Sequence, residues 1–222
     1  MLGKVSGQTY ETVFSTVYAG VKVNLCLAAA GLPLLLALAG TGNPLASWPF
    51  FAALSALCAP AVSGAFGAFR ALSDGDPRIG TAYWRAYRAT FGRSLAVGAS
   101  AAAVVIVLAI DLQLAVGSWA GAVTPMLALL IGIVVATTTA VLAALPDESG
   151  DRWWRRVPAC AYLAVRKWHL SLFNLALLAT VAVVATAKPV VGLLLLPAPA
   201  LYVVWANTRH LTAALRPASP TA

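Results

Sequence analysis

Charge is scarce in this 222-residue chain: Asp, Glu, Lys and Arg together make up 10% of it, and only 7 residues are acidic. A soluble domain carries about 25% charged residues, so this composition excludes one. Histidine occurs twice and cysteine three times. His169 and His210 fall in no metal-ligand spacing. Cys26, Cys58 and Cys160 are odd in number and sit among apolar neighbours, which suits small buried hydrophobes better than a disulfide or a metal site. Catalytic signatures are also missing. Gly64-Ala65-Phe66-Gly67 lacks the spacing of a dinucleotide-binding turn and lies inside an apolar run. No Ser/His/acid grouping can be argued from proximity, so the chain reads as no enzyme and calls for no cofactor. Residues 1–18 lack a compact apolar core followed by a small-residue cleavage site, so the first hydrophobic run is expected to stay as an anchor.

What fills the chain instead is apolar: 61% of it is hydrophobic and its mean hydropathy is +0.85. A spanning helix needs about 20 apolar residues at about 1.5 Å each. Six segments meet that length: 18–39, 48–72, 94–116, 123–145, 170–187 and 189–207, arranged as three hairpins. The fold class expected is an all-α polytopic membrane bundle in one domain, with a disordered tail over about 213–222. Pro33 should kink the first span.

The formal charge of +8 is distributed unevenly. Of the 15 Lys and Arg, 14 fall on segments that face one side in this scheme, and Lys188 alone falls on the other. Lys and Arg are retained on the cytoplasmic side of short loops, which places both termini in the cytosol. Bilayer orientation accounts for the basic residues, so nucleic acid is not an expected partner.

Two charged, aromatic islands interrupt the apolar runs. In the first, Tyr83, Tyr87 and Phe91 recur every fourth position, with Trp84 beside them and Arg85 and Arg88 on another face. In the second, Arg152, Arg155 and Arg156 stand among Trp153 and Trp154, with Arg166, Lys167 and Trp168 further on. Both are expected as amphipathic cytoplasmic connections. They would lie in the headgroup layer, rings down and guanidinium groups to phosphate, or dock a protein partner.

Within the predicted spans Asp111 is the only acid. An ionised Asp at the bilayer centre costs about 2.5–3.5 kcal/mol, so either it is hydrated near a boundary or it contacts a proton or substrate. Asn24 and Asn174 read as interhelical hydrogen-bonding groups or as members of such a site. The second span carries small residues at four-residue spacing, Ala52, Ala56, Pro60, Gly64 and Ala68, the pattern of close helix packing.

In chain order, Asn24-Leu25, Leu32-Pro33, Ala59-Pro60, Gly64-Ala65-Phe66, Tyr83-Trp84, Tyr87 and Asp111-Leu112 make the chain similar to the YesL-like membrane proteins of Gram-positive bacteria, a family defined as a domain of unknown function. The resemblance covers about residues 8–210, and the Ala/Val-rich, Arg-over-Lys composition suits an actinobacterial host. It implies an accessory or regulatory part in carbohydrate uptake, because relatives are often encoded beside ABC-type sugar transporters. The partners implied are the lipid bilayer and ABC sugar-transporter subunits or another membrane protein. It supplies no catalytic residue. The alternative reading is a small transporter or channel with Asp111 in its pathway.

Overall fold

A computed structural model describes residues 18–42, 44–116, 119–147, 153–187 and 195–213. Among these, all regular structure is helical: α1 (Tyr18–Ala30), α2 (Leu32–Gly40), α3 (Trp48–Ser55), α4 (Ala59–Ser73), α5 (Ile79–Ala115), α6 (Thr124–Ala144), α7 (Val157–Arg166), α8 (Trp168–Ala187) and α9 (Pro197–Ala213), with short 3₁₀ turns between several of them.

Prolines set the breaks. Pro33 has no N–H for the Ala29 carbonyl, and α1 and α2 meet at Gly31 with a bend of 68°. Pro60 likewise leaves the Ala56 carbonyl without its helical donor, and the 3₁₀ turn Ala56–Cys58 joins α3 to α4 at that point. Neither break interrupts apolar character: α2 and α3 bury no residue against the rest of the chain, as expected of helices solvated by lipid.

Between α4 and α5 the chain turns tightly. Gly75 adopts φ +78°, and Gly75 N–H and Asp76 N–H donate to the carbonyls of Leu72 and Ala71. Asp76 Oδ1 accepts from Arg78 N–H at 2.8 Å, which starts α5. The two helices then run antiparallel with small residues in contact. A Cβ on Gly98 would stand 2.5 Å from Ala59 Cβ and 2.9 Å from the Ala56 carbonyl oxygen, and one on Gly67 would collide with Ala86 Cβ. The four-residue pattern read in the second span is thus a packing seam. Ser63 and Thr90 bond across it at 3.0 Å. The Thr90 hydroxyl donates to the Ala86 carbonyl, which makes Ser63 the donor of that bond.

Among the described residues four helical stretches are long and apolar enough to cross a membrane, with α3 and α4 counted as one over Trp48–Ser73, and five if the bent α1–α2 pair is one span. Their bounds follow the predicted spans with two exceptions. The expected break between the first island and the third span is absent, and 37 residues form one helix, α5. No proline lies between Ile79 and Ala115, and a change from charged to apolar side chains does not by itself stop a helix. The last helix begins at Pro197 and runs to Ala213, beyond the predicted 189–207; residues 188–194 and 214–222 lie outside the described residues.

The hydrophobic core is not spread evenly. Val23, Phe66, Phe69, Tyr83, Leu145, Cys160, Val204 and Trp205 pack together at the end of the bundle that carries the arginines. Towards the other end Val107, Leu114, Met126, Leu129 and Val183 are all more than half exposed, an outward apolar surface of the kind a bilayer would cover.

Candidate functional site

The first island forms the N-terminal turns of α5, and its rings stack as the spacing predicts. Tyr83 and Tyr87 lie 6.3 Å apart and nearly parallel, and Tyr87 meets Phe91 edge-on at 5.4 Å. Trp84 closes on both tyrosines at 5.3 Å. Tyr83 departs from the expectation of rings directed to lipid, whereas Phe91 is 41% exposed. Tyr83 is 0% exposed, against Gly64 of α4, where a Cβ would come within 3.2–3.3 Å of its ring. A small residue opposite a large one lets the ring enter the helix pair. Its hydroxyl has no hydrogen-bond partner among the described residues. Trp84 is 36% exposed. Arg85 and Arg88 face outward and are exposed.

A second group of cations lies close by. Arg209, near the end of α9, donates to Ser73 Oγ at 3.1 Å and covers the Trp205 ring at 5.0 Å, and Trp205 packs on Phe69 and Tyr202. Arg70 reaches Asp74 at only 3.9 Å on an exposed surface, which contributes little.

The second island breaks into a 3₁₀ turn, Trp153–Arg155, followed by α7. Arg155 lies over the exposed Trp154 ring at 5.4 Å, and Arg156 is also exposed. Arg152 and the Trp153 side chain lie outside the described residues. Cys160, Leu163 and Ala164 form the buried face of α7. Ser171 Oγ donates back to the Ala164 carbonyl at 2.8 Å, tying α7 to the start of α8.

The three polar residues expected within the membrane take separate places. Asn24 is buried, and it caps α9 from a distance: Oδ1 accepts from Ala198 N–H at 2.7 Å and Nδ2 donates to the Leu195 carbonyl at 3.1 Å. This completes the start of that helix. Pro197 and Pro199 have no N–H, Ala198 is held by Asn24, and Ala200 N–H donates to the Leu196 carbonyl. All four leading positions of a helix that begins among apolar side chains are satisfied. Asn174 accepts from Asn207 Nδ2 at 2.9 Å, which joins α8 to α9. Sequence reading missed Asn207 because it falls at the predicted end of a span; a second Asn on the neighbouring span was the available signal. Asp111 is exposed on α5, near its C-terminal end. Among the described residues no hydrogen bond joins any two of Asn24, Asn174 and Asp111.

Asn174 also lines a small cavity with Ala136, Ala140, Cys160, Leu163, Ala164, Ser171 and Thr208. Its volume of ≈ 10 Å³ admits at most a single water, against the several hundred Å³ of a small-molecule site. Among the described residues no group of three or more His, Cys, Asp or Glu could hold a metal ion. No protein family, curated protein or solved structure matches the chain.

Proposed function

We propose that the chain is a multi-pass protein of the bacterial cell membrane, with six crossings in three hairpins and both termini cytoplasmic. In this reading it serves as an accessory or regulatory component of carbohydrate uptake through an ABC-type transporter. The observation that carries the proposal is the length of α5. Its 37 residues extend about 55 Å, against a hydrocarbon core of about 30 Å. Fitting all of it inside would need a tilt of about 57°, outside the 0–40° range of membrane helices.

One end therefore stands in water, and the charges decide which. Arg85, Arg88 and Arg93 lie in the N-terminal part, whereas residues 94–110 carry no charge. The positive-inside preference assigns the basic end to the cytosol. Because α4 runs antiparallel to α5, its C-terminal turns leave the membrane with it. Together they form a short stalk, one side closed by Tyr83 against Gly64 and the other presenting Arg85 and Arg88. A basic surface held off the bilayer suits an acidic protein surface better than headgroups. The similarity to YesL-like proteins supplies the link to sugar uptake, and the partner class is an ABC sugar-transporter subunit or another membrane protein.

The test is the double substitution Arg85→Glu and Arg88→Glu. Membrane insertion and yield should be unchanged, while photocrosslinks from position 84 to the transporter subunits should be lost. Undiminished crosslinking in the double variant would remove the stalk as the docking surface.

A further inference from the structure

The two islands look alike in sequence, but the structure puts them in different environments. The first continues a spanning helix; the second is a separate ten-residue helix, α7, and its depth can be read from packing. Pro146, just after α6, lies beside Gly67, which itself contacts Ala86 of α5. Ala140 and Ala136 lie six and ten residues before Pro146, so about 9–15 Å further along α6. Counting the same distance along α5 from Ala86 reaches residues 92–96, where Arg93 ends the charged part and the apolar run begins. Cys160, Leu163 and Ala164 of α7 line one cavity with Ala136 and Ala140. The buried face of α7 thus rests at the level where charge gives way to apolar surface.

Its outer face has the composition of that level. Tyr162 and Val165 are 62% and 53% exposed, and the flanking Trp154 and Trp168 are 58% and 65% exposed. Pro158, Tyr162 and Val165 follow the helical repeat, opposite the buried Cys160, Leu163 and Ala164. Arg155, Arg156 and Arg166 are exposed at the two ends of this stripe. Over residues 147–167 the chain carries five cations, Arg152, Arg155, Arg156, Arg166 and Lys167, against three acids, Asp147, Glu148 and Asp151, all of which precede Arg152. Aromatic rings with a polar edge settle at the acyl–headgroup boundary, and guanidinium groups bind phosphate through paired N–H donors.

We propose that α7 and the turn before it form a binding site for anionic phospholipid. Trp154, Tyr162, Val165 and Trp168 enter the outer part of the acyl layer, and Arg155 and Arg156 at one end and Arg166 at the other hold headgroup phosphates. The inference rests on the membrane orientation proposed above but not on any role in sugar uptake.

Native mass spectrometry of the purified full-length chain, titrated with phosphatidylglycerol and with phosphatidylcholine, tests it without a transporter present. Phosphatidylglycerol should be retained in preference. The triple substitution Arg155→Gln, Arg156→Gln and Arg166→Gln should weaken its retention about tenfold or more. Triple replacement by Lys should keep most of it, and Arg85→Gln with Arg88→Gln should leave it unchanged. Should the Gln variant fail to fold, the comparison of the two lipids and the Lys and stalk variants still decides. Equal retention of the two lipids, a triple Gln variant that binds as the parent does, loss on the stalk substitutions alone, or displacement of phosphatidylglycerol by millimolar inorganic phosphate would each overturn the proposal.

Discussion

Replacing Gly98 with leucine is expected to cost about 3 kcal/mol of stability, the upper range for forcing volume into a packed contact. At this position a Cβ would stand 2.5 Å from Ala59 Cβ and 2.9 Å from the Ala56 carbonyl oxygen. Backbone cannot rotate out of the way as a flexible side chain can, so the helices must separate. Ser63 and Thr90 would lose their bond as they do. Gly67→Leu should behave in the same way, because its Cβ would collide with Ala86. Gly92 supplies the control: nothing lies within 4 Å of a Cβ there, and Gly92→Ala should stabilise α5 by about 0.5–1 kcal/mol. Steric-trap or graded-detergent unfolding of the purified protein would measure all three. Equal effects at Gly98 and Gly92 would contradict the packing seam.

The second large effect is expected at Asn24. Substitution by leucine removes the acceptor for Ala198 N–H and the donor to the Leu195 carbonyl, in a side chain that is nearly inaccessible. Two lost bonds, one of which leaves the buried Ala198 N–H unmet, should cost about 2–3 kcal/mol. Asp111→Asn, at an exposed position, should leave stability within about 0.5 kcal/mol of the parent. The same pair of variants separates a helix cap from a transport pathway. A cap predicts earlier unfolding of the Asn24 variant and no flux through the parent reconstituted in liposomes. A pathway predicts flux in the parent that is lost in the Asp111 variant with stability unchanged.

How far the chain could be read without coordinates depended on the range of the interaction involved. Apolar runs are local, so 48–72 and 123–145 fall within a few residues of the helical stretches Trp48–Ser73 and Gly121–Ala144. Pro33 acts on its own turn, and the bend is there. The continuity of α5 is not legible in the pattern, because the charge boundary at Arg93 is not a structural one. The spacing of Tyr83 with Tyr87 and Phe91 defines a stripe but not what the stripe meets. Gly64, nineteen positions earlier, supplies the answer. Asn24 was legible as a buried hydrogen-bonding group, but its partners stand 171 and 174 residues away. The two islands share a composition and differ in attachment. Only packing against α4 or α6 distinguishes a stalk from a helix at the boundary.

The account depends on α5 being half in lipid and half in water. Spin labels placed singly at positions 85, 88, 104, 107 and 110 of the protein in phospholipid bilayers, after replacement of the three native cysteines, report that division through collision with oxygen and with a water-soluble nickel chelate. Labels at 104, 107 and 110 should collide with oxygen and be shielded from the chelate, and labels at 85 and 88 should show the reverse. Chelate-shielded, oxygen-exposed labels at 85 and 88 would put the arginine-bearing turns within the bilayer, and the stalk would not exist.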